Sequence, residues 1–222
     1  MTLNPAAPPV QEIYDRLHAA YGPQSWWPAD SAFEVIVGAI LVQNTAWENV
    51  ERAIDNLKRL SALDPHYLHA LPTSDLEQLI RPAGVFRVKA KRLQAVLAYL
   101  IERHGGDTAA LARTPTEELR RELLALHGVG PETADSILLY AAEQPSFVID
   151  AYTRRVLERH GWADKSASYD QLKQSFETAL PRDVQLFNEY HALIVEVGKR
   201  HCRRTPKCEG CPLAELLPGT RP

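Results

Sequence analysis

The run Leu126-His127-Gly128-Val129-Gly130-Pro131-Glu132-Thr133-Ala134, and Asp150 within Phe147-Val148-Ile149-Asp150-Ala151-Tyr152, hold the residues whose types and spacing could do chemistry. Two glycines flanking one residue let a backbone turn tightly and approach another molecule closely. Where such a turn opens a helix, outward amides and the helix dipole favour an anion, so a phosphate fits there without any base being read. By itself Gly-Val-Gly can equally do no more than join two antiparallel helices. Asp150 follows three apolar residues, so its backbone is expected in apolar surroundings and its side chain at the cap of a helix starting at Ala151. Capping could be its whole role. Beside an anion-holding hairpin, a carboxylate can also stabilise developing positive charge and help to activate water.

The elements that must position these groups read as helices. Glu117 to Leu126 carries Leu119, Leu123 and Leu126 on one side, and Pro131 to Ala142 carries Ala134, Ile137, Leu138 and Ala141, so the glycines join two amphipathic helices. From Trp47, residues Val50, Ile54, Leu57 and Leu60 keep one face apolar, and Lys89 to Ile101 repeats the pattern with Leu93, Val96, Leu97 and Leu100. Ala32 to Gln43 is apolar nearly all round and is expected as a buried central helix. Helix starts are signalled by Thr73 or Ser74 and by Thr116, with breaks at Pro115 and Pro145. Further helices are expected over Val10 to Ala20, Ala151 to His160, Tyr169 to Ala179 and Val184 to Arg200. The fold class is therefore all-α, about ten helices without a sheet. The expected division is a central six-helix unit, 31–144, carrying the hairpin at about 117–142, and a second helical unit of 1–30 plus 145–222, with a cleft between them.

Composition sets the outer bounds. At 222 residues with 45% hydrophobic and 24% charged residues, the chain can bury a sizeable core and is unlike a disordered protein. A formal charge of −3 argues against indiscriminate coating of nucleic acid while leaving room for a local basic face. The longest apolar run, Val35 to Val42, is too short to span a bilayer, and the amino terminus lacks a secretory apolar block, so a cytoplasmic chain without a membrane partner is expected. All three cysteines, Cys202, Cys208 and Cys211, fall within ten residues, a poor disulfide framework and a better metal or cluster site.

Leu-x-Gly-Val-Gly-x-x-Thr-Ala followed by Asp150 resembles the helix-hairpin-helix of the endonuclease III superfamily of DNA glycosylases. In that family the catalytic aspartate follows the hairpin's lysine position by 18 residues, the interval from Glu132 to Asp150 here. The resemblance implies Asp150 as the catalytic carboxylate and Gly128, Val129 and Gly130 as the phosphate-binding turn. Members that also cut the strand use the hairpin lysine to form an imine, which the carboxylate of Glu132 cannot do. A monofunctional glycosylase that leaves an abasic site is therefore expected, with Lys199 or another lysine needed for any lyase chemistry.

Trp26-Trp27-Pro28 and Gln43-Asn44-Thr45-Ala46-Trp47 carry the second resemblance, to the branch called 3-methyladenine DNA glycosylase III. Matching aromatics there sandwich the methylated purine, which implies Trp26 and Trp47 as stackers and Trp27 as a pocket wall; each tryptophan taken alone could equally be core. Aromatic faces compensate a flipped base for lost stacking, and an indole attracts a cationic alkylated base. The glutamine at the position of Gln43 enters the gap left by the flipped nucleotide across the family. One stacking position is Trp here where the branch has Phe. Gly84-Val85-Phe86-Arg87-Val88-Lys89-Ala90-Lys91-Arg92 forms a second glycine-led helix start, whose family counterpart lies near the DNA backbone; Arg87 and Lys89 are expected on phosphate.

Cys202-x5-Cys208-x2-Cys211 resembles the carboxyl-terminal loop in which four thiolates hold a 4Fe-4S cluster. The family's fourth cysteine falls near Leu217. Three thiolates with water, His201 or Glu215 on the fourth iron would complete a cluster; a decayed site in which Arg203, Arg204 and Lys207 pack or bind phosphate is the alternative, and zinc a weaker one. The expected partner is double-stranded DNA with a damaged base, an alkylated purine first, bound by a monomer. Competing readings are a bifunctional glycosylase and lyase on oxidised pyrimidines, and a non-catalytic damage-binding protein, which would have no need of Asp150.

Overall fold

A computed structural model describes residues 7–218 apart from 25, 28, 61 and 62. Among the described residues there are twelve α-helices and no strand, so the chain is all-α. In order these are α1 (Val10–Tyr21), α2 (Ala32–Leu41), α3 (Trp47–Arg59), α4 (Pro65–Ala70), α5 (Thr73–Leu79), α6 (Phe86–His104), α7 (Ala109–Arg113), α8 (Thr116–Leu124), α9 (Pro131–Ser136), α10 (Ala151–Arg159), α11 (Tyr169–Glu177) and α12 (Val184–Arg200). Residues 27–144 form one compact unit; the described residues of 1–26 and 145–222 form another.

In the first unit α2 is buried from Phe33 to Leu41, as its all-round apolar sequence requires. Each of Ile36, Ile40 and Leu41 is fully buried and stabilises the fold by roughly 1.5–3 kcal/mol. Ser31 caps α2 by accepting from the Glu34 amide at 3.2 Å, and the buried Glu34 carboxylate is met by Lys58 at 2.8 Å. The expected faces of α3 and α6 point inward, except that Leu60 lies just past the end of α3 and is largely exposed. Helices α5 and α8 start directly behind Pro72 and Pro115, and neither start has a side-chain cap, so Thr73 and Thr116 are first helical residues and not caps. Prolines satisfy these starts because they fix φ and lack an N–H. Helices α4 and α7 were not legible as periodic segments; at six and five residues they are too short to show a repeat. Helix α9 continues as a π-helical turn, Ile137–Ala141, closed by the Ala142 N–H on the Ile137 carbonyl at 2.9 Å. Such turns alter the angular spacing of side chains and recur at functional sites.

The second unit has an aromatic core. Phe147 stacks on Phe176 with centroids 4.2 Å apart and meets Phe187 and Tyr190 edge-on, while the Tyr190 hydroxyl donates to the Val10 carbonyl and fastens α1. Gly198 of α12 faces Tyr152 of α10 so closely that a Cβ there would overlap the tyrosine ring. That approach sets the two helices side by side at the point where α10 begins.

Candidate functional site

Asp150 is the N-cap of α10. Its Oδ1 accepts from the Thr153 N–H at 2.7 Å and from the Thr153 hydroxyl at 2.8 Å. Its Oδ2 faces His191 Nε2 of α12 at 3.6 Å, with the two side chains 12% and 7% exposed. Burial alone pushes the carboxyl's pKa up, but the His191 imidazole and the two Thr153 donors outweigh it, and the net pKa lies below the ordinary aspartate value. A buried carboxylate is thus kept ionised, with one oxygen occupied by local donors and the other turned to His191. His191 and Thr153 were missed in the sequence. Their signal was the presence of one polar side chain in the otherwise apolar buried run Tyr190 to Val195, and a threonine three residues beyond the cap.

In the other unit the hairpin turn follows from its two glycines in different ways. Gly128 has φ +81°, a conformation that favours glycine, and a Cβ there would overlap the Arg92 side chain. Gly130 is extended and caps α9, and a Cβ there would meet nothing within 4 Å, so the backbone is open to an approaching group. Pro131 occupies the first helical position and the Ala134 N–H closes the first turn on the Gly130 carbonyl, leaving the Glu132 and Thr133 amides ahead of the helical ladder. Val129 departs from expectation: its side chain is 6% exposed in the core and its N–H donates to the Leu126 carbonyl at 3.2 Å. It anchors the turn and does not face a ligand, because an apolar β-branched side chain gains more from the core. Glu132 is exposed in the first turn of α9, where a negative charge suits the helix dipole.

Gln43 is bound to the hairpin, its Nε2 donating to the Gly128 carbonyl at 3.1 Å and to Thr133 Oγ1 at 3.0 Å, while its Oε1 accepts from Arg92. Lys89 also departs from expectation. It is 2% exposed, and its ammonium donates to the Leu41 carbonyl at 2.8 Å and the Ala83 carbonyl at 2.6 Å. It fastens helix ends inside the unit and cannot reach phosphate, and burial lowers its pKa. Its place on the inner face of α6, four residues before Leu93, decides this. Arg87 is the opposite case, largely exposed, resting over the Phe86 ring and 3.7 Å from Glu77. Val85, at φ +45° and 68% exposed, begins α6 in a conformation strained for a β-branched residue.

The tryptophans divide between the units. Trp27 meets Trp47 edge-on at 5.1 Å and Tyr140 of the π turn at 4.9 Å, with Gly38 of α2 beneath both indoles. Trp47 donates from Nε1 to Glu51 at 3.0 Å. Tyr140 was not anticipated, since nothing in its helical spacing marks a π turn. Trp26 lies beneath the Lys199 ammonium, 5.3 Å from its ring centroid. Pro28 of the Trp-Trp-Pro motif lies outside the described residues.

Cys202, Cys208 and Cys211 line one hollow with His201 and Leu217, and burial and the neighbouring thiols push the Cys211 thiol up. Leu217 takes the fourth thiolate's place, Glu215 is bound to Arg16 at 2.9 Å, and His201 Nδ1 is on the Lys207 carbonyl. No three described Cys, His, Asp or Glu side chains converge closely enough to share a metal. These residues as placed do not fit the expected 4Fe-4S cluster. The loop is instead tied to α10: Arg155 donates to the Cys202 carbonyl, Arg159 to Cys202 Sγ at 3.3 Å and to the Arg203 and Arg204 carbonyls, and His160 bonds the Leu213 carbonyl. No helix among the described residues is long and apolar enough to cross a membrane.

Comparison with known proteins fits this geometry. Residues 37–182 match the model of the HhH-GPD superfamily of base excision DNA repair proteins. A Methanocaldococcus jannaschii protein named as a candidate DNA repair glycosylase is 49% identical over 93% of this chain and 94% of its own length. Endonuclease III of Thermotoga maritima is 32% identical over 81% of this chain and 79% of its own. Among solved structures, endonuclease III in a non-covalent complex with DNA superposes with a TM-score of 0.80 at 25% identity, covering 95% and 94% of the two chains. The H. pylori 3-methyladenine DNA glycosylase bound to 1,N6-ethenoadenine gives 0.76 at 27%, covering 85% and 96%. The chain belongs to the HhH-GPD superfamily and is a DNA glycosylase of the base excision repair type.

Proposed function

We propose that this glycosylase turns an alkylated purine out of double-stranded DNA and hydrolyses its N-glycosidic bond, leaving an abasic site without efficient strand cleavage. The observation that carries the reading is the buried, ionised Asp150, with Oδ1 held by Thr153 and Oδ2 turned to His191. As the bond from C1′ to the base breaks, its electron pair leaves with the base and positive charge grows on the sugar. A fixed carboxylate stabilises that charge, and removing such a group typically costs about 10²–10³ in rate. Water then bonds to C1′ and its proton passes toward Asp150 or solvent.

The turn at Gly128 and Gly130, with the exposed Arg87, is assigned to phosphate, and Gln43 to the space the flipped base leaves. Trp26, Trp27 and Trp47 are assigned to the base, and the similarity to a glycosylase crystallised with an alkylated adenine supports that class of substrate. Glu132 at the lysine position supports hydrolysis over imine chemistry. The cysteine loop enters as a structural element, since its donors do not fit a cluster and no step depends on one. We further infer a monomer acting in the cytoplasm.

The test incubates wild type and Asp150→Asn with duplexes carrying 3-methyladenine, 1,N6-ethenoadenine, thymine glycol, uracil or an abasic site. Release of alkylated adenine by wild type alone is expected. Activity retained by Asp150→Asn would remove the carboxylate's role, and a borohydride-trapped adduct with strand cleavage would overturn the monofunctional assignment.

A further inference from the structure

We propose that Arg92 is a positioning residue that couples Gln43 to the hairpin, holding Gln43 folded back on the turn in free protein and taking its place there when Gln43 enters the duplex. This rests on the reading of Gln43 as the residue that fills the gap of the flipped base. Arg92 can only donate, so the carboxamide oxygen of Gln43 must face it and the amide nitrogen must face Gly128 and Thr133, as found. The orientation of the amide is therefore dictated by the guanidinium. When Gln43 leaves, the Gly128 carbonyl and the Thr133 hydroxyl lose their donor together, at the turn that would hold phosphate.

Two observations place the replacement donor at that point. The Arg92 chain lies against Gly128 so closely that no Cβ fits between them. Its Nε is a buried donor with no acceptor. A buried donor of a charged group left without an acceptor is unfavourable, and a bond from it to a backbone carbonyl is charge-assisted. The folded-back state therefore leaves one Arg92 donor unmet, and departure of Gln43 supplies the acceptor it lacks, the Gly128 carbonyl. Arg92 thus keeps the turn formed while Gln43 is away, and the grip on phosphate and the opening of the base pair reinforce one another.

The experiment measures base opening with 2-aminopurine beside the lesion in a duplex, and affinity for undamaged duplex as a function of salt. It uses wild type, Arg92→Met, Gln43→Ala and the double variant, each checked for native melting. Methionine keeps the chain volume against Gly128 while removing every donor. Arg92→Lys serves as a second variant if methionine does not fold, since lysine keeps the charge but has no counterpart of the Nε donor that lies against Gly128. Arg92→Met is expected to lower the opened population about tenfold, with less than a twofold change in affinity for undamaged duplex and an unchanged salt slope. In the Gln43→Ala background it is expected to do nothing further. Unchanged opening in Arg92→Met, or the same loss with Gln43 already removed, would overturn the coupling. A salt slope lower by about one would make Arg92 a plain phosphate contact instead. Normal opening in Gln43→Ala would sink the Gln43 reading itself, whatever Arg92 does.

Discussion

The two ends of α10 were both marked by family spacing, and they turned out differently. At its start, Asp150 meets two donors from Thr153 and an imidazole from α12, so every oxygen of the carboxylate has a counterpart. At its end, three cysteines have the family's approximate spacing, but the fourth place is Leu217 and the groups that organise the loop are Arg155, Arg159 and His160. The difference teaches that spacing along the chain specifies chemistry only where other elements bring complementary groups. Asp150 has them; the three thiols lack a fourth cysteine, and of them Cys202 is met, by Arg159.

The comparison is broken most severely at the start of the helix. Asp150→Asn is expected to reduce single-turnover excision about 10³-fold in a protein that stays folded with a modestly lower melting temperature, because asparagine keeps the cap but not the charge. Gly198→Ala comes next. It drives a methyl into Tyr152, so α10 must shift; a loss of roughly 1–3 kcal/mol in denaturant unfolding is expected, together with lower activity.

His191→Asn removes a group that lowers the Asp150 pKa. Wild-type excision is expected to be level on the acid side down to the ordinary carboxylate range, whereas the variant's acid limb moves to higher pH and its rate at neutral pH falls by roughly tenfold or less. Stability follows the same sign. With the folded pKa below the unfolded one, the stabilisation from Asp150 is present above the unfolded value and is lost as pH falls through the folded value. An acid limb that does not move in the variant would reduce His191 to packing.

At the far end the effects should be smaller. Arg159→Met removes the bonds to Cys202, Arg203 and Arg204 and is expected to cost about 0.5–1.5 kcal/mol and to expose the loop to limited proteolysis. Cys208→Ser, at an exposed position, should change stability by less than about 0.5 kcal/mol. Stoichiometric iron in anaerobically purified protein, lost in Cys208→Ser along with several degrees of melting temperature, would erase the contrast between the two ends.

The helices that build both units were largely legible, because burial on one side imposes a period that survives in the sequence. Val184–Arg200 matches its expected bounds, and α2 was recognisable as central from its all-round apolar character. Gly128 was legible for a local reason as well, since its left-handed backbone favours glycine. Lys89 was misread because a cation in a basic run looks solvated, and its carbonyl partners lie at Leu41, far away in the chain, and at Ala83. Tyr140 was missed because one extra residue in a helical turn leaves no compositional trace.

What the sequence determined by itself was the class of fold and the hairpin, which depend on local backbone preference and periodic burial, while the carboxylate 18 residues beyond Glu132 was marked by resemblance to a family. Tertiary structure alone decided which charges are usable. His191 stands 41 residues from Asp150, and Arg92 stands 49 residues from Gln43 and 36 from Gly128, and no local pattern links them. Electrostatic and hydrogen-bond partners are set by distance in space, which the order of residues along the chain does not express.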